Sequence, residues 1–288
     1  MKQKPRTIIS NQQFDQERAL YNLMYADIKS CTFAGPADGE SALKEARHFY
    51  MQDCQFSLRY PLWHVKDFSV TDCHMDALTR AALWYADNGE ITHSTLGGIK
   101  ALRECNNINL YNCEINSAEF GWKSHHITVK DCSITAEYLF LDCSNVRLEN
   151  VQMKGKYSFQ YIKNLEIVDS VLDTKDAFWH SNNVTVRNST IKGEYLAWFS
   201  RGLTLIDCKI IGTQPLCYCD NLTLINCTME KCDLAFEYSS VKADIIGHID
   251  SVKNARSGIV TADSIGEIIR DHTVMKCNAK VLVRGSNR

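Results

Sequence analysis

The chain has no run of 18 apolar residues, no Cys-x-x-Cys, no basic cluster and no linker-like shift in composition. The first absence removes a membrane-spanning helix, so no membrane partner is expected. The second leaves Cys217-x-Cys219 as a weak pointer to metal, and we assign no metal and no cofactor. Lysine and arginine are scattered and the formal net charge is −2. That argues against a nucleic-acid groove. Without a linker, the chain reads as one domain, 1–288. Residues 1–10 hold Lys2, Lys4 and Arg6 but lack the apolar stretch of a signal peptide.

Cysteine, by contrast, is plentiful. There are thirteen, and most recur at one place in a repeat. Such placement predicts small buried thiols rather than disulfides, and a reducing, cytoplasmic location.

The repeat decides the fold. Ser94, Cys113, Cys132, Val151, Ser170, Ser189, Cys208 and Cys227 are each 19 residues after the last. Upstream, Cys73 and Cys54 fit after steps of 21 and 19, and Cys31 stands as a first rung. Ile108, Ile127, Val146, Leu165, Val184, Leu203 and Leu222 form an apolar column. A second column begins two residues later at Leu110 and Val129, with polar residues between the two. Alternation with β-branched enrichment is the mark of a half-buried strand. The ladders Asn112, Asp131, Asn150, Asp169 and Asn107, His126, Asn145, Asn164 suit repeated left-handed bends.

Nineteen residues leave no room for a helical crossover, and the leucine consensus of a leucine-rich repeat is missing. We therefore expect an all-β, single-stranded, right-handed parallel β-helix of about 12 short coils, mostly of 19 residues. Residues 1–50 are expected to hold an N-terminal cap, the first coil and an inserted loop. Regular coils follow over 51–270, and 271–288 close the stack. A short capping helix is expected within 14–24, and a turn near Ala42 capped by Asp38 or Ser41.

Four segments resemble a known family: GPADGESALKEAR (35–47), LRYPLWH (58–64), RAALWY (80–85) and ADSIGEIIRD (262–271). They are similar to the bacterial pectin-lyase-like family called domain of unknown function 3737. The resemblance covers nearly the whole chain. It implies a pectin-lyase-like β-helix and brings no catalytic residues with it.

Candidate chemistry sits on the variable strand. One column reads Trp63, Trp84, Arg103, Trp122, Leu141, Gln160, Trp179 and Trp198; its neighbour reads His64, Tyr85, Glu104, Lys123, Asp142, Tyr161 and His180. Two readings compete. Either one column packs inward and the other coats the surface, or the aromatic faces line a lateral groove that stacks on sugar rings. In the second reading Arg80, His64, Glu104, Lys123 and Asp142 are the catalytic candidates. Asp38, Glu40, Arg59, Trp63, Trp84, Tyr85, Trp122, Trp179, His180 and Trp198 are the ligand-binding ones.

A lyase needs a base and a cation beside the developing enolate, which His64 with Arg59, Arg80 or Lys123 would supply. A glycoside hydrolase needs two carboxylates, for which Glu104 and Asp142 stand two coils apart. Arg59 and Arg80 have a structural alternative, pinning the 35–47 loop through Asp38 or Glu40. The expectation is a protein that binds or processes a carbohydrate-like or small polar ligand, with enzyme status open. The alternative is a non-catalytic binding or assembly protein that forms homo-oligomers.

Overall fold

The computed structural model describes residues 5–35 and 39–285, so the proposed contributions of Asp38 fall outside the described residues. Among the described residues every strand pairing is parallel and no helix forms. The chain is an all-β parallel β-solenoid of about 14 turns, mostly about 19 residues apart, with pectin-lyase-like architecture. It divides into two compact units, residues 1–147 and 148–288.

In the first unit, strands Thr7–Ser10, Met24–Lys29, Arg47–Gln52, Lys66–Thr71, Asp87–Thr92, Asn106–Tyr111 and His125–Lys130 lie side by side. The anticipated columns are in register, with Ile108 beside Ile127 and Leu110 beside Val129. A third face carries the two-residue strands Leu62–Trp63, Leu83–Trp84 and Leu102–Arg103. In the second unit Val184 pairs with Leu203, and Val186 with Leu205. These columns are buried and make the core.

Two turns more than the expected 12 arise at the ends. Thr7 already pairs with Ala26, so the supposed cap contains a full coil. At the far end Ser240 pairs with Ser257, a step of 17, and Lys280–Val283 adds a last strand. The expected helix within 14–24 is replaced by the strand Gln13–Phe14 and turns. The backbone N–H groups of Leu20 and Asn22 bond forward to the carbonyls of Ala42 and Lys44, at 2.8 and 2.9 Å. Donors committed to the next coil cannot serve an i−4 ladder. The turn does form over 42–45, after Ser41 at φ 56°.

Both bend ladders adopt left-handed backbone: Asn112, Asp131 and Asn150 in one, Asn107, His126 and Asn145 in the other. The cysteines follow from that geometry. After each bend a backbone N–H points along the stack, and the next coil's thiol or hydroxyl accepts it. Cys54 N–H donates to Cys73 Sγ at 3.4 Å, Cys73 N–H to Ser94 Oγ at 3.0 Å, and Cys113 N–H to Cys132 Sγ at 3.3 Å. Val151 N–H donates to Ser170 Oγ at 3.0 Å in the second unit. Cysteine and serine therefore alternate because both are small acceptors for an otherwise orphaned buried donor. A second ladder, unforeseen in the sequence, runs from Cys105 to Ser124 and Cys143. Twelve cysteines are free and buried, while Cys277 is half-buried.

Candidate functional site

The variable face puts both of its columns at least partly in solvent. In the first unit Trp63, Trp84 and Trp122 are half-buried, and Tyr85, Lys123 and Asp142 beside them are exposed. The second column sits at left-handed bends, with φ of 55° at Tyr85, 51° at Glu104 and 53° at Lys123. A bend of that hand resets side-chain direction, so strict alternation fails there.

Exposure does not make these rings a platform. Trp63 stacks on Trp84 with centroids 5.5 Å apart, and Lys44 Nζ lies 4.1 Å from the Trp63 centroid. Arg103 covers Trp84 at 5.2 Å. In the second unit Trp179 and Trp198 stack at 5.5 Å, and Tyr161, His180, Phe199 and Tyr218 form a stack at 4.9 to 5.2 Å. Rings piled along the stacking direction spend their faces on each other and turn edges outward. The faces within the Trp63–Trp84 and Trp179–Trp198 pairs are thus turned to one another. Trp122, Trp179 and Trp198 also commit their indole N–H groups to the carbonyls of Tyr138, Tyr195 and Gln214. The indole nitrogens of Trp63 and Trp84 are buried and unpaired.

The acid–base candidates are dispersed or occupied. Ala81 N–H bonds to Ile99, which places Arg80 five residues ahead of the Tyr85 position that stacks on Glu104. Arg80 therefore stands at a different register position from Glu104 and Asp142. Arg59 pairs with Glu40, in keeping with the loop-pinning alternative, and His64 Nδ1 lies 2.9 Å from Glu45. Glu104 takes hydrogen bonds from Tyr85 and from Arg103 at 3.0 Å; these outweigh its partial burial and hold its carboxyl below the usual range. It remains ionised, the wrong state for a proton donor. Asp142 and Lys123 stay on the exposed column, one coil apart.

A different feature has the form of a ligand site. On the outer face of the strands Arg47–Gln52, Lys66–Thr71 and Asp87–Thr92 lies an open cleft of about 480 Å³. Arg6, Tyr25, His48, Tyr50, Asp67, Ser69, Asn88, Glu90 and Asn109 line it, over Phe49, Phe68 and Gly89. Tyr25, His48, Asp67 and Asn88 come from the bend ladder, with φ between 52° and 56°. Tyr50, Ser69, Glu90 and Asn109 are the outward residues of successive strands, in register. Tyr25 stacks on His48 at 4.8 Å, and His48 Nδ1 is 3.4 Å from Asp67. Asn88 Nδ2 donates to the other Asp67 oxygen at 2.6 Å. At one end Arg6 ion-pairs with Asp27 at 2.7 Å and lies 4.5 Å above the Tyr50 ring. Among the described residues no other ring stacks on Tyr50, which is 58% exposed. The sequence held one signal for this cleft, the small residues Ser69 and Gly89 among larger column members.

A parallel β-solenoid with a polar cleft on an outer sheet is the class that fold and site define. The chain belongs to the family described as "Protein of unknown function (DUF3737)", whose model matches residues 7–283. No curated protein matches. Among solved structures the chain is similar to PfbA, a surface adhesin of Streptococcus pneumoniae. Identity is 10% and the TM-score 0.44, over 75% of this chain and 84% of that one. It is similar also to the A-module of the Azotobacter vinelandii mannuronan C-5 epimerase AlgE4, at 10% and 0.37 over 96% and 90%. The tailspike protein of E. coli bacteriophage HK620 aligns at 9% and 0.46, over 96% and 66%. These likenesses concern the fold. No finding supports the cytoplasmic location expected from the cysteines. Buried thiols that serve as backbone acceptors carry no information about compartment.

Proposed function

We propose that this chain binds a saccharide-like polar ligand, and that it does so in the outer cleft of the first unit rather than along the tryptophan columns. The carrying observation is the cleft itself. It offers about 480 Å³, within the range of small-molecule sites, with a tyrosine ring that Arg6 overlies but no other ring stacks on, beside short hydrogen-bonding side chains. Asparagine and serine can both donate to and accept from hydroxyls, carboxylates accept from them, and an exposed Tyr50 ring supplies apolar area. The tryptophan columns lack that combination, since their ring faces are spent internally.

Titration calorimetry against a panel of oligosaccharides tests the reading. Ser69→Trp fills the cleft floor and is expected to weaken binding at least roughly tenfold, as an obstructed pocket does. Trp122→Ala, on the variable face, is expected to leave binding unchanged. The opposite pattern, with Trp122→Ala abolishing binding and Ser69→Trp sparing it, returns the site to the tryptophan columns.

A further inference from the structure

We infer that the saccharide taken by this cleft carries positive charge, as an unacetylated amino sugar does; the inference rests on the reading of the cleft as a saccharide site. It begins from the charges that line it. Asp67 and Glu90 contribute two carboxylates and Arg6 the single full cation. That cation is already committed: Arg6 Nε is 2.7 Å from Asp27, and its other nitrogen donates to the Ala26 carbonyl at 2.5 Å. Asp67 has partial partners in His48 and Asn88. Glu90 is exposed, and among the described residues it makes no hydrogen bond or ion pair.

Register fixes where a ligand ring would rest. Tyr50 pairs with Ser69, and Ser69 with Glu90, so the three stand on successive coils of one outward column. Ser69 is the small member and leaves a gap about two strand spacings wide, roughly 9.6 Å, between the Tyr50 ring and the Glu90 carboxylate. Asp67 flanks that gap from two residues earlier on the same strand. A sugar ring over Ser69 meets an aromatic face on one side and a carboxylate on the other.

The cleft already shows how it treats a cation. At one end the Arg6 guanidinium rests over Tyr50 and pairs with a carboxylate of the neighbouring coil. An ammonium group between Tyr50, Asp67 and Glu90 repeats that arrangement two coils on, with cation–π and ion-pair attraction combined. A uronate brings a third negative charge into the same space and is repelled. A neutral sugar displaces water from Glu90 without neutralising it.

The test compares three tetrasaccharides on the full chain at low salt: glucosamine, N-acetylglucosamine and galacturonic acid tetramers. The glucosamine tetramer is expected to bind most tightly, by roughly tenfold over the acetylated one, with an affinity that falls as salt is raised. Glu90→Gln and Asp67→Asn preserve shape, and each is expected to erase most of that preference while leaving thermal unfolding near wild type. Equal or tighter binding of the acetylated or uronate tetramer overturns the inference and leaves the saccharide site standing. So does amine binding that ignores both amide variants. Failure of all three tetramers to bind sinks the saccharide reading of the cleft itself.

Discussion

Asp176 shows how much one side chain can owe to its place in a coil. It lies in the column that holds Tyr157 and Tyr195, and it is 8% exposed. Burial pushes its carboxyl above the usual range; the neighbouring Lys175 opposes the shift and Glu194 adds to it. Lys175 itself is drawn to Glu194 at 2.9 Å, so it neutralises Asp176 only in part. A carboxyl raised on folding binds more protons in the native than in the unfolded state. Its favourable contribution is complete below the unfolded pKa and is lost as pH rises through the folded one. Asp176→Asn is therefore expected to stabilise the protein at neutral pH by about 1 kcal/mol and to have little effect in acid. Urea unfolding at both pH values checks this, and an unchanged midpoint at neutral pH would refute it. Sequence alone did not single out Asp176, because burial of a side chain at a left-handed bend depends on the coils around it.

At the scale of a strand, the floor of the cleft is set by a size exchange between coils. Phe49 and Phe68 stack at 5.6 Å in the inward column, and the next residue in that column is Gly89. A Cβ at Gly89 would overlap the Phe68 ring, so glycine is required there by the neighbour's volume and not by backbone dihedral. Gly89→Ala is expected to cost about 1–3 kcal/mol, the usual range for overpacking a tight core. Phe68→Leu in the same chain is expected to recover part of that loss, because it frees the space. A double-mutant cycle by thermal unfolding measures the coupling, and strict additivity of the two changes would exclude the exchange. The apolar alternation at 108, 110, 127 and 129 was legible as a strand because period two survives any choice of neighbour. The expected helix within 14–24 failed for the complementary reason: its amphipathic look ignored donors that the next coil captures.

Over the whole molecule the twelve buried cysteines act as structure. Burial pushes the thiols of Cys105 and Cys143 up to about 12, and the Cys113–Cys132 pair shares a side-chain hydrogen bond. Thiolate is the reactive form, so Cys105 and Cys143 are inert while folded; the Cys113 thiol, lowered by its hydrogen bond with Cys132, is shielded by burial. Titration with a disulfide reagent at neutral pH is expected to modify Cys277 first and the twelve buried thiols only on unfolding. Rapid native-state reaction of several thiols would contradict the ladder.

The 19-residue period by itself determined the coil, the inward columns and the bend positions, since parallel stacking repeats a local conformation at a fixed interval. It marked the slips to 21 and 23 residues, which fall at Lys66 to Asp87 and Met24 to Arg47. The cleft adjoins both slips, yet its lining was not foreseen. Tyr50, Ser69 and Glu90 belong to an outward column that reads as an ordinary solvated face until their sizes are set side by side. The tryptophans stood out in composition, and tertiary structure then showed four of the five stacked in pairs, Trp63 on Trp84 and Trp179 on Trp198. Which residues become a scaffold and which an opening depends on the volumes of neighbours a full coil away, and only the folded stack brings those neighbours together.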